Sequence, residues 1–210
     1  MRLFHFVGAM AVVSMAGALQ ARADLPLKSI PDISAALIDV SYNAATDVFQ
    51  ASGRSVQLKD AGGTHVIGAP RPFQIDAIID ENGVLGAGTL TISGSVLGLG
   101  PSLLTGSLTG LSYDAGGGDL FRFEFDVTGG DLALASHYGP AGSPVVVLLD
   151  ANFTSSPFNG TFAASFNNNG GVAGFGGGVA DVGVPVPAPG AAGLALIGMT
   201  AIGWIKRRFV

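Results

Sequence analysis

Leu120-Phe121-Arg122-Phe123-Glu124-Phe125-Asp126-Val127-Thr128 decides the fold class. Successive side chains of a strand point to opposite faces, so Phe121, Phe123, Phe125 and Val127 share one side, and Arg122, Glu124 and Asp126 share the other. A strict period of two over this length does not fit a helix. The segment is a strand with one face in a core and one face toward water.

Working outward, the same grammar recurs. Leu103–Leu108 and Leu111–Tyr113 precede the loop Asp114-Ala115-Gly116-Gly117-Gly118. Gly88–Val96 alternates, and Phe73–Ile79 is followed by Asp80-Glu81-Asn82-Gly83, a strong turn signal. Ala35–Val40 suggests a first strand, and Asp47–Ala51 and Ser55–Lys59 flank Ser52-Gly53-Arg54, whose composition predicts a hairpin turn. On the far side come Gly129-Gly130, a short strand around Leu132–Leu134, a buried strand Val145–Leu149 and a last strand Gly160–Phe166. The stretch 167–183, with Asn167-Asn168-Asn169-Gly170-Gly171 and Phe175-Gly176-Gly177-Gly178, has the composition of a flexible linker. No long amphipathic helix interrupts the series. Short strands at roughly 8–12-residue spacing predict an all-β fold, read here as a single antiparallel β-sandwich of jelly-roll type spanning 24–166.

The two ends have a different character. Arg2 followed by the apolar run Leu3–Leu19 and Ala21-Arg22-Ala23 has the form of an export leader with an A-x-A cleavage site. Residues 1–23 are therefore read as a signal peptide, with Asp24 the first residue of the mature chain. At the other end stand Val184-Pro185-Val186-Pro187-Ala188-Pro189, an uncharged run Gly190–Ile205, and Lys206-Arg207-Arg208. A helix over that run would rise roughly 24 Å, somewhat short of a hydrocarbon core of about 30 Å. The basic triplet would hold its end in the cytoplasm and leave the bulk of the chain outside. One C-terminal transmembrane helix is thus expected within 184–210.

Composition sets the limits on function. The leader and tail take with them five of the ten basic residues and none of the fifteen acidic ones, so the passenger keeps five basic residues and a net charge of −10. That sign disfavours nucleic-acid binding and favours solubility in an extracellular setting. With no Cys there is neither a disulfide nor a thiol nucleophile. Gly, at 33 of 210, has no Gly-X-Y period, and its abundance suits tight turns between short strands.

No constellation of catalytic residues stands out. His65 and His137 have no ligand-like spacing, and no metal site or cofactor is expected. Glu124 and Asp126, about 7 Å apart along one strand face, share it with Arg122 and are read as charge pairing rather than as a glycosidase pair. Asp76 with Asp80, or Asp114 with Asp119, are carboxylates that could be offered to Ca²⁺, although the stretch Asp114–Leu120 lacks the alternating oxygen-ligand pattern of a Ca²⁺ loop.

The three-part tail resembles the PEP-CTERM class of bacterial sorting signals, which exosortases, a group of membrane proteases, recognise. It is closest to the variant with a Val-Pro-Leu-Pro-Ala core, here Val184-Pro185-Val186-Pro187-Ala188. Val186 replaces the usual Leu, and the Glu of the type motif is absent. The resemblance covers about the last 27 residues and implies sorting: processing near Pro185–Ala188 and delivery to the surface or matrix of a Gram-negative bacterium. A weaker likeness to a recurrent PEP-CTERM passenger, over Leu103–Leu134, implies no activity. The expected function is that of a non-enzymatic exported surface or matrix protein. Its partners would be an exosortase-type protease, the export machinery, the membrane before processing, and exopolysaccharide. Two alternatives are a carbohydrate-binding surface module using Tyr42, Tyr113 and Tyr138, and a secreted hydrolase.

Overall fold

The computed structural model describes residues 27–154, 157–168 and 176–186. Ten strands and one short helix follow in order: β1 (Leu27–Asn43), β2 (Val48–Asp60), β3 (Gly63–Val66), β4 (Pro72–Ile79), β5 (Leu85–Ser93), β6 (Ser102–Tyr113), β7 (Leu120–Gly130), α1 (Leu132–Tyr138), β8 (Pro144–Asp150), β9 (Phe166–Asn167) and β10 (Gly178–Pro185).

Neighbouring strands pair antiparallel in the order β2-β4-β5-β6-β7-β8-β10-β1, and β1 pairs back onto β2. The sheet therefore closes on itself as an eight-stranded up-and-down barrel. β3 extends the lower half of β2, and β9 extends the end of β1. The sandwich reading is overturned by the two pairings of β1: Val40 with Ala51 on one side, Ala35 with Ala180 on the other. Alternation has the same appearance in both architectures. It says which side of a strand is buried and nothing about whether the first and last strands meet.

Four further readings are corrected. Ser52-Gly53-Arg54 is the middle of β2 rather than a turn. Its glycine answers a bulge in β1, where Leu37 and Ile38 together stand opposite Gly53. Leu37 adopts φ 56°, which turns its side chain outward and resets the alternation so that Ile33, Ala35, Ile38, Val40 and Tyr42 all face the core. A Cβ at position 53 would come within 2.6 Å of Ile38 Cγ1, so the glycine supplies space rather than a reversal. Leu132–Leu134 opens helix α1, capped by Asp131, whose Oδ1 accepts from Ala133 N at 3.0 Å. The Gly160–Phe166 strand shrinks to Phe166–Asn167. The region read as a linker contributes β10, the strand that closes the barrel.

The interior is filled. Phe73, Ile75, Ala77 and Ile79 of β4, Phe121, Phe123 and Phe125 of β7, and Val145, Val147 and Leu149 of β8 point inward and are buried. Each such aliphatic or phenyl side chain contributes on the order of 1.5–3 kcal/mol by leaving water. One gap of about 130 Å³, between Leu90, Leu104, Phe125, Val127 and Val145, is too narrow for a water molecule.

Both mouths are closed by chain. At the end carrying the turns 44–47, 80–84 and 114–119, Phe158, Phe162 and Phe166 lie over the interior. They pack against Tyr42, Tyr113 and Phe121 with ring centroids 4.9–6.0 Å apart. At the opposite end α1 buries Leu134 and Tyr138, whose hydroxyl donates to Val182 O at 3.3 Å. This second end also carries the first and last described residues, since Leu27 pairs with Pro185.

Candidate functional site

The segment expected to carry a sorting motif begins at the end of the last strand. Val184 and Pro185 are the last residues of β10, and Val186 follows the strand. Pro187, Ala188, the apolar run, Lys206, Arg207 and Arg208 lie outside the described residues, as do Ala21 and Ala23 of the leader. No helix among the described residues is long and apolar enough to cross a membrane.

The barrel's two ends differ in charge. Among the described residues, the turn end carries Asp47, Asp80, Glu81, Asp114, Asp119 and Asp150, with Arg122, two residues into β7, nearby. The end bearing the termini carries Lys28, Lys59, Arg54 and Arg71 together with Asp32, Asp60, Asp131 and Asp181. The acidic turns are held by their own backbones. Asp80 Oδ1 accepts from Asn82 N at 2.9 Å and Val84 N at 2.7 Å, and Asp114 Oδ1 from Gly116 N at 2.8 Å. These are Asx turns, in which the carboxylate stands in for a backbone acceptor. Asp76 accepts from the side chains of Gln50 and Gln74. No group of three metal-ligating side chains forms among the described residues.

The other residues singled out in the sequence are dispersed. His65 lies 3.2 Å from Asp60 Oδ1 in the β2–β3 hairpin, and His137 is exposed in the last turn of α1. Asp60 is held below its ordinary pKa chiefly by the Gly62 N–H, with His65 adding to the effect. Arg122 Nε lies 3.6 Å from Glu124 Oε1 on the outer wall, an ion pair within the strand. The tyrosines belong to the fold. Tyr42 is buried and donates to Ile79 O at 2.8 Å, Tyr138 is buried against the barrel end, and Tyr113 is half-buried between Phe158 and Phe162. Burial raises the pKa of both Tyr42 and Tyr138. No Phe or Tyr ring among the described residues is exposed, so the stacking platform expected of a sugar-binding module is not built from these tyrosines.

The structure assembles one concavity that sequence reading missed. The β2–β3 hairpin and the 67–71 loop enclose an open cleft of about 660 Å³. Its walls are Arg54 and Arg71 with Val66, Ile67, Pro70 and Pro72. The loop is held at both ends. Ile67 N donates to Val56 O at 2.9 Å, Gly68 N to Ser95 O at 2.7 Å, and Ser55 N to Arg71 O at 2.9 Å. The buried Ser55 hydroxyl adds a bond to Ser93 O at 2.7 Å. Arg71 Nη1 donates to Ile67 O at 3.0 Å, which fixes its guanidinium at the cleft wall. The signal in the sequence was slight: Arg54 and Arg71 are two of five cations in an acidic passenger, and Arg71 stands between two prolines.

Comparison with family models, with characterised proteins and with solved structures finds no match.

Proposed function

We propose that this chain is a non-enzymatic exported protein of the cell surface or extracellular matrix, sorted by its C-terminal tail and processed by an exosortase-type membrane protease. The observation that carries the reading is the order of the tail: Pro motif, uncharged run, basic triplet. The leader at the opposite end and the acidic, Cys-free passenger agree with it. A barrel whose interior is packed with Phe, Val, Leu and Ile side chains suits a stable surface unit.

The fold adds a constraint on processing. Val184 and Pro185 are the last residues of β10, and Pro185 pairs with Leu27, so a cut that spares the barrel wall is expected beyond Pro185. Intact mass of the protein recovered from the cell surface and medium is expected to match a chain running from Asp24 to a residue within 186–189. A mass extending to Val210 would remove the exosortase part and leave a membrane-anchored barrel. A mass ending before Val184 would mean that the barrel itself is cut, against the expectation.

A further inference from the structure

We propose that the Arg54–Arg71 cleft is a binding site for a carboxylated sugar, of the uronic-acid class, one or two residues long. Three observations support it together. The first is charge: two guanidiniums line one concavity on a protein whose passenger carries a net charge of −10. The second is preorganisation, because the loop bearing Arg71 is tied to β2 and to Ser95 by backbone bonds, and Arg71 is anchored on Ile67 O. A guanidinium held in place presents its planar fork to a carboxylate with little further loss of side-chain freedom. The third is the wall between the charges. Val66, Pro70 and Pro72 are exposed and form an apolar surface that suits the C–H face of a sugar ring and gives a bare inorganic anion nothing to pack on, with the buried Ile67 behind them. The volume, about 660 Å³, lies within the range of small-molecule sites.

The acidic turns sit at the opposite end of the barrel. With a screening length of about 8 Å at physiological salt, they have little effect on a short ligand in the cleft. The choice of a sugar acid over other organic anions rests on the surface-and-matrix reading above. The cleft itself does not.

Isothermal titration of the full-length protein in detergent with a glucuronate-containing disaccharide tests the site, with the neutral glucose disaccharide and inorganic phosphate as controls. Saturable binding of the uronate is expected, at least tenfold tighter than either control and weakening as salt is raised. Arg54→Gln and Val66→Glu should each weaken it at least tenfold. Val66 is 71% exposed, so its substitution tests the cleft without touching the core. Arg71→Lys, which keeps the charge but loses the fork, should weaken binding with an unchanged far-UV spectrum. Absence of uronate binding overturns the proposal, as does phosphate binding of equal strength or binding that survives Arg54→Gln and Val66→Glu. None of these outcomes bears on the mass measurement, so the two readings fail separately.

Discussion

At Asn168 one side chain does the work of a missing strand. β10 pairs with β1 only as far as Ile38, and β9 takes over at Ser41. In the gap Asn168 Nδ2 donates to Ile38 O at 2.8 Å and Ala151 O at 2.7 Å, while its Oδ1 accepts from Val40 N at 2.7 Å. The residue is 1% exposed, so water cannot replace these bonds. An unsatisfied buried group costs about 1–3 kcal/mol, and Asn168→Ala strands three. We expect a loss of about 3 kcal/mol, measured from urea unfolding curves, and a larger loss for Asn168→Asp, which sets a negative charge against two carbonyls. A loss under about 1 kcal/mol would mean that the three groups find other partners. In the sequence Asn168 is one of three consecutive asparagines before two glycines, and nothing there separates it from loop composition.

Among elements, those with a strong period were legible and those defined by partners were not. β7 and β4 follow from alternation, and the β4–β5 turn from Asp80-Glu81-Asn82-Gly83. β10 is rich in Gly, Ala and Val because its neighbours approach closely: a Cβ at Gly178 would lie 2.8 Å from Ile38 O. That requirement exists only once β1 is beside it, so the sequence alone resembles a linker. The same seam carries a charge cost. Asp32 of β1 lies near Asp181 of β10 and Lys59 of β2. Burial first, and Asp181 second, raise its pKa above 3.8, with Lys59 opposing. The folded state then holds the Asp32 proton more tightly than the unfolded chain does. The stabilisation is therefore complete below about pH 3.8 and is lost as pH rises through the elevated folded value. Asp32→Asn should melt above the parent at pH 7, and the difference should shrink below about pH 4. A variant that melts lower at pH 7 would show that the Lys59 attraction outweighs burial.

For the whole molecule, closure is the property on which stability turns, and it depends on residues beside the proposed sorting motif. In an up-and-down barrel each wall strand has two neighbours, so removal of one leaves two exposed edges. Without β10, the backbone edges of β8 and of the first half of β1 would lose their partners, and the buried Ala180 and Val182 would be gone. Tyr138 would also lose its acceptor on Val182, loosening α1 over the adjacent mouth. A chain from Asp24 to Val186 should therefore unfold cooperatively, within about 1 kcal/mol of the full-length protein, whereas one ending at Gly177 should show no cooperative transition in urea. Cooperative folding of the shorter chain would make β10 dispensable, and the tail could then begin anywhere after Gly177. If only the longer chain folds, the passenger and the proposed sorting signal share Val184 and Pro185. Any processing that leaves a stable barrel is then confined to the few residues between Pro185 and the apolar run that begins at Gly190.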